Sequence, residues 1–295
     1  MTERILITND DGIDAPGLRW LARTVQRAGY DVVVAAPLTE ASGSSASVTA
    51  VEEDGKIVVE PRELSGARNV PAYGVAASPA FIVLLALREA FGEAPTVVLS
   101  GINRGANAGA ALVHSGTVGA TLTASHAGLR GLAVSLDVLT PGAVPPPARV
   151  ENPRPLGATS TARAGSAIAE LDKTDDEQRH WMSAAGLAVK LLPTLLHTPA
   201  GTVLNLNVPD LHVDGIRGLR RASLARFGQV QVSIAEREEG FVRTAIQAAD
   251  EGLEPGTDIT ALAEGYASVT PIRAPGEAKD VRLNLEAIRV RTSSI

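Results

Sequence analysis

The 295-residue chain contains no cysteine, which excludes disulfides and thiolate chemistry. Aromatic residues make up only 3% of it, and the net charge of -6 comes with no basic cluster. A nucleic-acid polymer surface needs a positive stripe and stacking rings, so none is expected; a single nucleotide or other small anion stays within reach. No apolar run approaches the roughly 20 residues of a membrane span. Met1-Thr2-Glu3-Arg4 leads straight into an apolar stretch without a signal-peptide core, so the cytosol is the expected compartment. No Gly-x-Gly-x-x-Gly follows that first apolar run, which sets aside an NAD-type Rossmann enzyme.

What is present suits one globular domain with a large core, or one domain plus an appendage: 45% of residues are hydrophobic and 20% charged. Strand and helix signals alternate. Ile5–Thr8 reads as a short strand and Pro16–Ala28 as a helix with proline at its start. Asp31–Ala36 is a β-branched run bounded by Gly29 and Pro37, the pattern of a buried parallel strand. Ala46–Glu60 reads as a hairpin about Asp54-Gly55. Helix over Pro79–Phe91, strand over Thr96–Ser100, helix over Thr117–Gly128 and strand over Gly131–Leu136 follow. The order predicts an α/β fold with a doubly wound, mostly parallel sheet. Thr140–Thr174 is rich in Pro, Gly, Ala and Ser and has no period, so it reads as a surface insertion placed to act as a lid, with Arg149 and Arg154 offered to a second anionic group. Beyond it lie a helix at about Glu177–Leu196 and a strand at Thr202–Val208. Gln229–Ile234, Phe241–Ala248 and Ala267–Ile272 then read as β-hairpins projecting from the core.

Ligands of open α/β sheets sit beyond the carboxyl ends of the strands, and four polar clusters fall there. Thr8-Asn9-Asp10-Asp11-Gly12 follows the first strand, Thr39–Ser45 the second, and Gly101–Asn107 the strand TVVLS; His114-Ser115-Gly116-Thr117 opens a helix. Two adjacent carboxylates with a hydroxyl and an Asn carbonyl make an all-oxygen donor set, which suits one divalent Mg²⁺ or Mn²⁺. Without Cys or a His pair at ligand spacing, zinc fits poorly. Ser115-Gly116-Thr117 offers N–H groups, hydroxyls and the positive end of a helix dipole to phosphate. A metal beside a phosphate pocket points to phosphoryl hydrolysis. Each piece has a plainer reading: Asp-Asp-Gly as a turn, Ser42–Ser45 as a flexible loop, Asn103 and Asn107 as αL-tolerant turn residues, Ser115 as a helix cap, His114 as a packed or solvated side chain.

The segments ILITNDDGIDAPGL, VVVAAP, SGINRGANAG, HSGTVGA, GLAVS, LNLNVP and EGYASVTPI occur in this order over most of the chain. Together they resemble the SurE family of metal-dependent nucleoside monophosphate phosphatases. The resemblance implies a Rossmann-like core over residues 1–225, with an insertion at about 138–175, and a β-rich extension over 226–295 used in a homodimer or homotetramer. It implies Asp10, Asp11, Ser42 and Asn103 as metal ligands, Asn107, Ser115, Gly116 and Thr117 at the phosphate, and His114 as a proton donor. It also shows departures. The family's Gly-Thr-Pro-x-Asp is here Ala77-Ser78-Pro79-Ala80-Phe81; Ala111 and Thr123 replace usual acidic residues; Ala41 and Ala46 replace the Arg and His of the serine loop. The kept donor set favours a phosphomonoesterase acting on a nucleotide or related small phosphate ester. The departures favour an alternative, a catalytically weak relative that binds a nucleotide or phosphorylated metabolite.

Overall fold

The computed structural model describes residues 3–67, 69–138, 175–226, 230–238, 241–248 and 253–277. The proposed lid segment Thr140–Thr174, with Arg149 and Arg154, lies outside them. β1 (Arg4–Thr8), β2 (Asp31–Pro37), β5 (Val59–Arg62), β6 (Ala72–Val75), β7 (Val97–Arg104), β8 (Arg130–Asp137), β9 (Val203–Pro209), β10 (Leu219–Arg221) and β13 (Ala267–Ile272) form one sheet. Its order is β10-β13-β9-β8-β7-β1-β2-β6-β5. The pairs along β9-β8-β7-β1-β2-β6 are parallel, while β5 on β6 and β13 on β9 are antiparallel. The architecture is the α/β fold with a mostly parallel sheet that the alternating pattern predicts.

The period of two along each strand decides what lies on each face. Ile5, Ile7, Val32, Val34, Val97, Leu99, Leu132 and Val134 are buried beneath α1 (Pro16–Arg27) and α4 (Trp181–Leu196). Leu6, Val33, Ala35 and Val98 point the other way, against α2 (Pro79–Ala86) and α3 (Gly116–His126). Both faces being covered, these strands read as unbroken apolar runs. β1, β2, β7, β8 and β9 all end on the same edge, and the polar clusters are gathered there.

Several local expectations change. The Asp54-Gly55 turn exists, with φ of 52° and 72°, but joins only β3 (Glu52–Glu53) to β4 (Lys56–Ile57). The helix expected to reach Phe91 ends at Ala86, and Glu89 then takes the left-handed φ of 63°. Helix does not run continuously from Glu177: a 3₁₀ turn, Asp176–Gln178, precedes α4, because Arg179 and His180 are drawn to Asp210. β11 (Val230–Glu238) and β12 (Phe241–Ala248) form the expected antiparallel hairpin. Ala267–Ile272 is a strand too, but instead of projecting it joins the main sheet beside β9. A short α5 (Asp258–Ala263) precedes it.

Candidate active site

β1 delivers Asp10 and Asp11 into a turn closed by the buried Asn9. Its Nδ2 donates to Gly12 O (2.9 Å) and its Oδ1 accepts from Gly12 N (3.2 Å). Gly12 has φ +105°, which a side chain would resist. Ala41 N donates to Asp10 O (2.7 Å), tying the serine loop after β2 to this turn.

β7 reaches the site through a register shift. Ser100 pairs with Ala133 on β8, yet Asn103 pairs with Ser135, so β7 carries one extra residue between them. Such a bulge re-aims the side chains beyond it. Ile102 accordingly enters the core under α1 and α4, and Asn103 swings to the α3 side, where its Oδ1 lies 3.3 Å from Thr117 Oγ1. Gly101 permits the shift: its φ is +139°, and a Cβ there would sit 2.3 Å from Val134 O. Asn103 Nδ2 donates to Gly105 O (2.8 Å), which leaves Oδ1 facing the site.

α3 closes the opposite side. The Thr117 hydroxyl donates to Asp10 Oδ1. That hydroxyl is thus turned onto the protein's own aspartate. Ser115 takes the capping role of its plainer reading, its Oγ accepting from Val118 N (3.1 Å). Asn107 is fastened further along the edge: its Nδ2 donates to Ser135 Oγ (2.9 Å), its N–H to Asn207 Oδ1 (2.8 Å), and its carbonyl accepts from Asn205 Nδ2 (2.8 Å). Ser42 Oγ donates to Glu40 Oε1 (2.6 Å). His114, at the end of a 3₁₀ turn, is exposed. Among the departures, Ala111 is exposed, Phe81 is half-buried on α2, and the Thr123 hydroxyl donates to Gly119 O (2.9 Å) within α3.

The charges are unbalanced. Burial raises the Asp10 pKa, against the hydrogen bonds from Thr117 and Gly116 that lower it. Burial, then the Asp10 charge, push Asp11 well above its ordinary value of 3.8, with Glu40 and Asp176 adding to the repulsion and the Arg104 N–H opposing it. Among the described residues no Lys or Arg side chain pairs with either aspartate, and no group of three or more His, Cys, Asp or Glu forms a cage. A buried carboxylate, a half-buried one and an amide oxygen remain, donors that suit a hard divalent cation.

Sequence reasoning misses Glu40, Ser44 and the ion network behind Asp11. Arg104 and Arg179 both meet Asp176 (3.2 and 2.8 Å); Arg179 Nη1 donates to Asp210 Oδ2 (3.0 Å); Asp210 Oδ1 accepts from His180 N (2.9 Å) and lies 3.0 Å from His180 Nδ1. Its members come from residues 104, 176, 179, 180 and 210, so no local pattern announces it.

Fold and site together define an α/β protein with an acidic, oxygen-lined centre at the carboxyl edge of a mostly parallel sheet. The family model described as Survival protein SurE matches residues 5–232. The chain is 32% identical over 279 residues to the 5′-nucleotidase SurE of Stenotrophomonas maltophilia strain R551-3, covering 92% of this chain and 89% of that one. It is 32% identical over 272 residues to the 5′-nucleotidase SurE of Aeromonas hydrophila, covering 91% of each. The crystal structure of the SurE protein from Aquifex aeolicus superposes with a TM-score of 0.65 at 25% identity, covering 94% of this chain and 96% of that one. The chain belongs to the SurE family.

Proposed function

We propose that this protein is a phosphoric monoester hydrolase of the 5′-nucleotidase type, removing phosphate from a nucleoside monophosphate or related small ester with the help of one Mg²⁺ or Mn²⁺. The observation that carries the reading is the pair formed by the buried Asp10 and the half-buried Asp11, without a cationic partner among the described residues and flanked by Asn103. The names of the relatives support it.

Asp10, Asp11, Asn103 and Ser42 would hold the cation, which when bound neutralises phosphoryl oxygens and acidifies water. The chain's own groups prepare that site. The Thr117 hydroxyl fixes the Asp10 carboxylate. Glu40 takes the Ser42 proton and leaves the oxygen's lone pairs available. Asn107, Ser115, Gly116 and Thr117 face the phosphate in this reading, with Ser115 keeping its hydroxyl proton while its oxygen caps α3. His114, exposed at the rim, protonates the leaving oxygen. For assembly, residues 226–295 join copies into a homodimer or homotetramer; an isolated two-stranded hairpin such as β11–β12 is marginal in water and needs a packing surface.

The test is phosphate release from a panel of nucleoside monophosphates and simple phosphate esters with Mn²⁺, with Mg²⁺ and with EDTA. Release that requires the cation is expected. Tight nucleotide binding without release would place the protein with the alternative, a binder that has lost turnover.

A further inference from the structure

The serine loop is seated on α3 through a notch of two glycines one turn apart. A Cβ on Gly119 would lie 2.2 Å from Ser45 O and 2.6 Å from Ala46 N. One on Gly116 would lie 2.6 Å from Ser44 Oγ and 2.7 Å from Asp10 Oδ2. Contacts under 3.0 Å are not tolerated, so any side chain at these positions pushes the loop away. The notch therefore gathers Ser44 Oγ and Asp10 Oδ2 about one point at the start of α3.

The loop's hydroxyls are not equivalent. Ser42 donates to Glu40 Oε1, and Ser45 donates to Val113 O (2.7 Å). Ser44 Oγ is buried and has no hydrogen-bond partner. A buried hydroxyl left unpaired is costly, so it marks a place where a partner belongs. Two donors of the first turn of α3 are meanwhile spent: the Thr117 hydroxyl on Asp10, and the Val118 N–H on Ser115. An oxyanion arriving beside Asp10 meets in Ser44 a buried hydroxyl committed to no other group.

Building on the phosphatase reading, we infer that the Ser44 hydroxyl binds a phosphoryl oxygen of the substrate, held at the reaction centre by the Gly116–Gly119 notch. Ser44 is then a substrate-binding residue, distinct from the four cation ligands. Its proton completes the contact, and no bond to the serine forms or breaks.

The test measures inorganic phosphate as a competitive inhibitor, and Mn²⁺ affinity, in the parent, Ser44→Ala and Ser44→Cys. Losing one hydrogen bond to a charged group weakens binding by about ten- to a hundred-fold. Ser44→Ala should show that loss for phosphate with Mn²⁺ affinity unchanged, and Ser44→Cys, a weak donor, should fall between. Parent-like phosphate inhibition in Ser44→Ala, or a fall in Mn²⁺ affinity alone, overturns the inference. A parent that releases no phosphate from any ester overturns the phosphatase reading itself, whereas an active parent with an indifferent Ser44→Ala removes Ser44 alone.

Discussion

Two buried carboxylates, Asp10 and Asp210, lie on the same sheet edge and are treated in opposite ways. Asp210 is fully buried, but each of its oxygens has a partner: the Arg179 guanidinium on one, His180 on the other. Asp10 is nearly as buried and receives only neutral hydroxyl and backbone donors, and Asp11 beside it meets further negative charge. A fold that pairs one carboxylate so fully has the means to pair the other. Leaving Asp10 and Asp11 uncompensated keeps a place for a positive charge that the polypeptide does not supply. The Asp210 network staples the start of α4 to the end of β9, and its cations are consumed in doing so.

The comparison breaks most sharply at Asp210. Asp210→Ala leaves the buried Arg179 with Asp176 but without its buried carboxylate, and removing one partner of a buried pair costs about 3–5 kcal/mol. Chemical denaturation should show that loss, while Mn²⁺ still raises the melting temperature of the folded fraction. The reverse is expected at the other cluster. Asp10→Asn and Asp11→Asn should lower turnover by about 10²–10³-fold, the scale for losing one preorganised electrostatic group, and leave metal-free stability unchanged or higher. Steady-state kinetics beside thermal denaturation in EDTA checks both halves. Ser115→Ala should be milder, costing about 1 kcal/mol through loss of the α3 cap. If its phosphate inhibition constant matches the parent's, Ser115 is a cap and nothing more.

The smallest effect is on pH dependence. The folded-state pKa values of Asp10 and Asp11 are raised, so the folded metal-free protein binds more protons than the unfolded chain. Their contribution is fully favourable below the ordinary carboxylate value of 3.8 and is lost as pH rises through the raised values. Denaturation in EDTA across this range should show that loss in the parent and a shallower slope in Asp11→Asn. Mn²⁺ affinity should rise with pH over the same interval, because binding needs both carboxylates ionised.

Much of this was legible in the residues. Strands such as Asp31–Pro37 and Val97–Ser100 announce themselves by β-branched runs, and the Asp10-Asp11 pair by its place after one. Ala72-Tyr73-Gly74-Val75 carries no such signal; it becomes a strand because β2 offers it an open edge. Asn103 could be named from its motif, but not the bulge that turns it toward Thr117, since a one-residue slip depends on β8. The sequence does not show that the Thr117 hydroxyl donates to Asp10: that follows from the approach of β1 to α3, more than a hundred residues apart in sequence. Ser44 was hidden for a similar reason: one serine among several in a loop becomes distinctive only when its neighbours' partners are known.

The central claim is that Asp10 and Asp11 are kept for a cation, and thermal denaturation with and without Mn²⁺ tests it without relying on any substrate. A ligand at a hundred times its Kd stabilises the folded state by about 2.7 kcal/mol. The parent should show a shift of that order, which disappears in Asp10→Asn and in Asp11→Asn and survives in Ser44→Ala. Equal Mn²⁺ stabilisation of the parent and both asparagine variants would contradict the account.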